Sequence, residues 1–72
     1  MRKLGVYVDG ANILQARNKK LMSQRELAEA VGVTRVTITQ METKPERRFM
    51  PSKVRKVSET LGLPIEQVVK EQ

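Results

Sequence analysis

Residues 23–43, SQRELAEAVGVTRVTITQMET, decide the fold of this chain. Ser23 and Glu26 have the spacing of a capping box, in which each side chain bonds the backbone amide of the other residue. A helix therefore begins here. Gly32 ends it, because glycine adopts the left-handed conformation of a helix C-terminus at the least cost. Thr34 is the candidate N-cap of a second helix, so the pattern predicts two short helices joined by a tight turn.

Each of these helices has one apolar face. The faces consist of Leu27, Ala28 and Val31 in the first helix and of Ile38 and Met41 in the second. The turn is too short for the two helices to lie antiparallel, so we expect them to cross steeply. This arrangement is a helix-turn-helix, whose second helix, at about residues 34–43, is the candidate to enter the major groove of DNA.

Short motifs along most of the chain carry a family resemblance. They are Ser23-Gln24, Glu26-Leu27-Ala28, Val31-Gly32-Val33-Thr34, Thr37-Ile38, Gln40-Met41-Glu42, Arg48-Phe49-Met50-Pro51 and Leu61-Gly62-Leu63. Together they resemble the Cro/CI-type (XRE) family of helix-turn-helix DNA-binding proteins over about residues 9–69. The resemblance implies an all-α fold, a compact five-helix lambda-repressor-like DNA-binding domain at residues 9–72. A short N-terminal β-strand arm at residues 1–8 would precede it.

Composition limits the chemistry that this chain can perform. Its 72 residues make one small domain with a modest core. The absence of cysteine and histidine removes disulfides, thiolate metal sites and the commonest general base. We therefore expect no enzyme activity, no metal and no other cofactor. The net charge of +6 favours a polyanionic partner, although charge alone would also fit a merely soluble basic domain.

The N-terminal apolar run superficially suggests a signal peptide. It ends at Asp9, which is far too early for a secretory segment. No apolar stretch approaches the length that crosses a bilayer. We expect a cytoplasmic protein without a membrane contact and without a small-molecule ligand.

Leu4, Val6 and Val8 alternate with other residues in the period-two pattern of a β-strand. A single strand needs a partner. In one interpretation the partner is the same strand of a second subunit, which makes Leu4, Val6 and Val8 dimerisation residues. In the other, the arm packs Leu4 and Val6 against the helices of its own chain.

A helix should precede the helix-turn-helix, with Asp9 as its N-cap and its end at about Lys20. Its inward-facing residues are expected to be Ile13, Leu14 and Arg17. The family usually has glycine at the position of Leu21, so the resemblance does not define the geometry of the turn that follows. The resemblance also implies a structural ion pair between Arg17 and Glu42, for which the alternative is two solvated charges.

Two more helix patterns follow the helix-turn-helix. Pro51 suits the first turn of a fourth helix, which Gly62 ends, and Pro64 opens a short fifth helix. The apolar residues of these helices are Val54, Val57, Leu61, Ile65, Val68 and Val69. Phe49 and Met50 are expected to pack beneath the loop that precedes the fourth helix.

The segment VYVDGAN at residues 6–12 resembles the first strand and catalytic aspartate of NYN (PIN-like) nucleases. Such sites gather several carboxylates from separate strands around a metal ion. The other seven acidic residues of this chain lie in helix or turn patterns. A nuclease fragment is therefore only a remote alternative.

The predicted DNA contacts fall into two sets. The leading face of the second helix should read bases through Arg35, Val36, Thr39 and Gln40. In the family the glutamine at the position of Gln24 holds a phosphate. The full set of predicted phosphate contacts is Gln24, Arg25, Thr34, Thr37, Lys44, Arg47 and Arg48.

These patterns predict a sequence-specific double-stranded DNA-binding transcriptional regulator, and we expect a repressor. One module of this size reads only a few base pairs, so we expect a homodimer on a palindromic operator. The alternative is a protein-interaction module, such as an antitoxin or a regulatory partner, built on the same scaffold.

Overall fold

Five helices and one small sheet make up the computed structural model, which describes residues 5–70. In chain order the elements are β1 (Tyr7–Val8), α1 (Gly10–Lys19), α2 (Gln24–Val31), α3 (Arg35–Thr43), α4 (Pro51–Leu61), α5 (Ile65–Val68) and β2 (Val69–Lys70). The predicted five-helix architecture with a short N-terminal strand is confirmed. None of these helices is long and apolar enough to cross a bilayer.

The helix starts follow from side chains that bond free backbone amides. The Asp9 carboxylate accepts a hydrogen bond from the Asn12 amide at 3.1 Å and caps α1. Both bonds of the capping box are present at α2: the Glu26 amide donates to Ser23 Oγ at 3.0 Å, and the Ser23 amide donates to Glu26 Oε1 at 2.8 Å. Thr34 caps α3 by accepting from the Thr37 amide at 3.3 Å.

The turn between α1 and α2 passes through Leu21, whose φ is +54°. This is the left-handed conformation that costs an L-residue roughly 1–2 kcal/mol and that glycine adopts freely. The Leu21 side chain is 91% exposed, so no packing offsets that cost. The chain thus makes the turn that suits a glycine while carrying a leucine.

The core collects one apolar face from each helix. Its members are Val8, Ile13, Leu27, Ala28, Val31, Ile38, Met41, Phe49, Val54, Val57, Leu61 and Val68. Two predictions about it are wrong. Leu14 is exposed, because Ile13, Ala16 and Arg17 define the inward face of α1 and Leu14 lies at its edge. Met50 is exposed because it is the N-cap residue of α4 and lies before the first helical turn, outside the apolar face of that helix.

The N-terminal strand has its partners within its own chain. β1 pairs antiparallel with β2, with Tyr7 opposite Lys70 and Val8 opposite Val69. Its other side meets Phe49, which exchanges backbone hydrogen bonds with Val6 at 2.9 and 2.8 Å.

Of the two interpretations of the N-terminal strand, this pairing within the chain favours the one in which the arm packs against its own domain. Val8 is buried in the core of its own chain, and Val6 is half-buried against that core. Leu4, the third predicted dimerisation residue, lies outside the described residues. The fifth helix is also shorter than predicted, because Val69 belongs to β2, and Ile65 is exposed while Val68 is buried.

Candidate nucleic-acid interface

The outer face of α3 presents the four predicted base-reading residues. Arg35 and Val36 are exposed in its first turn, and Thr39 and Gln40 are half-buried one turn later on the same face. Val36 is 60% exposed, as expected for a surface position and not for a core residue. Ile38 and Met41 hold the opposite face of the helix in the core.

An ion pair fixes the far end of α3. Arg17 Nε lies 2.7 Å from Glu42 Oε2, and Arg17 Nη2 donates to Glu42 Oε1 at 3.1 Å. The side chains are only 11% and 3% exposed. Arg17 Nη1 also donates to the Met22 carbonyl at 2.9 Å, so one guanidinium joins α1, the following turn and α3. A forked, charge-assisted contact of this kind restricts orientation as well as distance.

Gln24 extends this network across the helix-turn-helix. Its Nε2 donates to Glu42 Oε1 at 2.9 Å, and its Oε1 accepts from the Thr39 hydroxyl at 3.1 Å. The start of α2 is therefore bonded to the middle and the end of α3. Sequence reasoning missed this link, although Thr39 and Glu42 are three residues apart and so share one side of a helix.

These bonds determine what Gln24 and Thr39 can still offer a ligand. The Gln24 carboxamide keeps one N–H, and the free backbone amides of the first turn of α2 lie beside it. The Thr39 hydroxyl donates its hydrogen inward, which leaves an oxygen lone pair and a methyl group for an outer partner. Arg35 and Val36 are therefore the less constrained residues of the face.

The two predicted phosphate-binding threonines meet at the start of α3. Thr34 Oγ1 lies 3.2 Å from Thr37 Oγ1, so the two hydroxyls form one polar group at the helix N-terminus. A helix N-terminus with free amides and hydroxyls favours anions.

The cationic residues predicted to contact phosphates differ in whether their side chains already have partners within the protein. Arg25, Lys44 and Arg47 are exposed, and within residues 5–70 none of them lies within salt-bridge distance of an acidic side chain. Arg48 is more restricted, because its guanidinium carbon lies 5.8 Å from the centroid of the Tyr7 ring. A methyl group at Gly5 would come within 2.6 Å of Arg48 Cβ, so the strand and this arginine are closely packed.

The segment that resembles a nuclease strand has a structural role here. Asp9 caps α1, and a methyl group at Gly10 would lie 2.6 Å from the carbonyl oxygens of both Met41 and Glu42. Gly10 thus allows the start of α1 to abut the end of α3. In the part of the chain that the structure describes, no three acidic, histidine or cysteine side chains gather as a metal site would require.

Comparison with known proteins agrees with this arrangement. A family model described as helix-turn-helix matches residues 13–68. The chain belongs to this helix-turn-helix family of DNA-binding transcription regulators, of the XRE or Cro/CI type. No curated protein matches the chain significantly.

Several solved structures are similar to it. The biofilm master regulator SinR from Bacillus subtilis, in complex with DNA, is 30% identical with a TM-score of 0.71, over 79% of this chain and 90% of that one. SinR in the SinR–SinI protein complex is 30% identical with a TM-score of 0.72, over 79% and 55%. The clp gene regulator ClgR from Corynebacterium glutamicum is 26% identical with a TM-score of 0.70, over 79% and 60%.

Proposed function

We propose that this protein regulates transcription by binding a specific double-stranded DNA sequence with α3 in the major groove. The observation that carries the proposal is the two-sided character of α3. Its outer face presents Arg35 and Val36 to solvent, while Ile38 and Met41 on the inner face are buried. A rigid helix with exposed polar and apolar groups at its start is suited to contacts with base edges.

Positioning and reading would be carried out by different groups. The start of α2 at Gln24, the paired hydroxyls at the start of α3, and the exposed Arg25, Lys44 and Arg47 would hold phosphates. Arg35 can fork onto guanine O6 and N7, and Val36 can contact a thymine methyl group. Gln40, half-buried one turn along, can address an adenine or a guanine from the same face.

The buried network behind α3 supports this division. Because Gln24 is bonded to both Thr39 and Glu42, a phosphate held at the start of α2 would be mechanically linked to the reading helix. Displacement of one contact would then displace the other. Because of this coupling, the position of the protein along the phosphates would determine which bases α3 can contact.

The proposal extends to the form of the complex. A module that reads a few base pairs gains specificity by two-fold pairing, so we propose a homodimer on a palindromic operator. We propose a repressor, because a small domain bound across a promoter can exclude other proteins by occupancy alone. Its site of action would be the cytoplasm. The similar SinR structure in complex with DNA supports the choice of ligand.

The test begins with selection of bound sites from a random duplex pool, followed by affinity measurements on the selected and a scrambled duplex. Arg35→Ala should weaken specific binding by about 1–3 kcal/mol and leave the scrambled duplex nearly unaffected, because a base contact is lost. Lys20→Ala, at an exposed lysine outside the predicted contacts, removes the same charge as a control. Equal losses on both duplexes for Arg35→Ala would contradict the reading role.

A second candidate function is docking onto a protein partner. SinR also occurs in a complex with the protein SinI, and its similarity to this chain favours testing for a regulatory partner. Capture of a stoichiometric protein partner, without any duplex binding at low salt, would support this function over DNA binding.

A further inference from the structure

The small sheet has one face toward the core and one face toward solvent. Val8 lies in the core and Val6 packs against it, so Tyr7, which alternates with them, belongs to the outer face. Lys70 is directly opposite Tyr7 on β2. Side chains that are directly opposite in an antiparallel pair share a face, with Cβ atoms about 5 Å apart. Lys70 therefore lies beside Tyr7 on the outer face.

Arg48 lies on the other side of Tyr7. Val6 is opposite Phe49 in an antiparallel bridge, which brings the residue before Phe49 next to the residue after Val6. These two residues are Arg48 and Tyr7, and the guanidinium carbon of Arg48 lies 5.8 Å from the centroid of the Tyr7 ring. We refer to Arg48, Tyr7 and Lys70 as the outer row of the sheet.

The outer row has a positive charge at each end. Arg48 and Lys70 are exposed, and within residues 5–70 neither lies within salt-bridge distance of an acidic side chain. Neighbouring strands are about 4.8 Å apart, so the backbones of these two residues, one on each side of Tyr7, are roughly 10 Å apart. Two cations at this spacing on one surface favour a partner with several negative charges in a line, such as a phosphodiester backbone.

The outer row begins where the predicted phosphate contacts of the helix-turn-helix end. Lys44, Arg47 and Arg48 lie in the segment that follows α3, and the row continues from Arg48 across β1 to β2. A DNA strand held by this segment carries one phosphate for about every 3.4 Å of duplex axis. Its next phosphates would therefore come close to the sheet.

We propose that the outer row is a further contact with the DNA backbone, outside the helix-turn-helix. Lys70 binds a phosphate of its own. Tyr7 is a positioning residue, whose ring holds the Arg48 guanidinium toward a neighbouring phosphate. A guanidinium stacked on an aromatic face keeps the N–H groups at its edge available for hydrogen bonds. This inference rests on the proposed function and adds a second surface to it.

The dependence of affinity on salt tests the Lys70 contact. Lys70→Ala should weaken binding of the selected and the scrambled duplex equally, roughly fivefold to tenfold at about 0.1 M salt, because a phosphate contact carries no sequence information. The slope of log K against log salt should fall in magnitude by about 0.9. Lys20→Ala removes the same charge from the end of α1 and is the matched control, which should leave the slope unchanged.

Duplexes that carry a single neutral methylphosphonate identify the phosphate that Lys70 binds. At one position this replacement should weaken wild-type binding roughly fivefold and leave the binding of Lys70→Ala unchanged, because the contact is already missing in the variant. If the two proteins respond alike at every phosphate, Lys70 binds none of them and the proposal is overturned.

A double-mutant cycle tests the role of Tyr7. Tyr7→Thr removes the ring but keeps a residue that favours strands, and it should weaken binding to both duplexes roughly twofold to fivefold. In an Arg48→Ala background the same change should have no further effect, and Tyr7→Phe, which keeps the ring, should bind like the wild type. An equal loss from Tyr7→Thr with and without Arg48 would show a general structural role and overturn the positioning role.

The results also separate the outer row from the proposed function. Failure of the wild-type protein to bind any duplex would reject the proposed function. Normal wild-type binding with an unchanged salt slope in Lys70→Ala would reject the outer row alone. Circular dichroism checks that each variant is folded, and because Lys70 is exposed, Lys70→Ala keeps the proposal testable even if a Tyr7 variant does not fold.

Discussion

At Leu21 the residue type departs from the family, which usually has glycine there, while the backbone keeps the conformation that suits glycine. Its φ of +54° is the conformation that a glycine would adopt at this turn, and its side chain is almost wholly in solvent. The family resemblance implied that glycine is usual at this position. It could not indicate whether the backbone would keep the left-handed conformation or change to one that suits leucine. That outcome depends on how firmly the core holds α1 and α2.

Leu21→Gly should stabilise the protein by about 0.5–1 kcal/mol. Relief of left-handed strain is worth roughly 1–2 kcal/mol, and the greater freedom of glycine in the unfolded chain removes part of it. Urea unfolding measures the difference. Lys20→Gly is the control, because Lys20 has a φ of −88° and should only lose stability, by about 0.5–1 kcal/mol. A loss of stability in Leu21→Gly would show that the turn is not strained.

Some side-chain contacts could be predicted from sequence and others could not. The family resemblance identified Arg17 and Glu42 as partners, and the structure places them in a forked contact. The bonds from Gln24 to Thr39 and Glu42 were not predicted, because they depend on the crossing angle of α2 and α3. No local pattern encodes that angle.

At the scale of elements, helices were easier to predict than strands. Capping residues and apolar spacing gave the start of each of α1, α2 and α3, because both signals are local. β2 contains two residues, which is too short for an alternating pattern to be visible. Its pairing with β1 joins residues that are about sixty positions apart, and only the packed helices bring those positions together.

The contact between α1 and α3 depends on Gly10. Gly10→Ala should destabilise the protein by about 1–3 kcal/mol, although alanine favours helices, because the added methyl group meets two backbone carbonyls that cannot rotate away. Thermal unfolding measures the loss. The control is Ala11→Gly, an exposed position where the change should cost no more than about 1 kcal/mol in helix propensity. Unchanged stability of Gly10→Ala would mean that α1 and α3 can separate without cost.

At the scale of the whole molecule, the fold places two different surfaces on one small core. One is the outer face of α3, with the cations and helix N-termini predicted to flank it. The other is an apolar groove between the sheet, α4 and α5, whose lining comes from Val6, just before β1, and from α4, α5 and β2. The fold and the first surface were predicted from sequence because they lie in one continuous, patterned segment. The groove was not, because its lining comes from both ends of the chain.

The central claim is that the outer face of α3 lies in the major groove of a bound duplex. The chain contains no cysteine, so Val36→Cys introduces a unique thiol on that face, and Ala30→Cys introduces one at an exposed position of α2 as the control. Each variant is mixed with the selected duplex carrying a thiol tethered to a base in the major groove. We predict rapid disulfide cross-linking for Val36→Cys and little for Ala30→Cys. Equal cross-linking by both variants, or none by a Val36→Cys protein that binds the duplex, would contradict the claim.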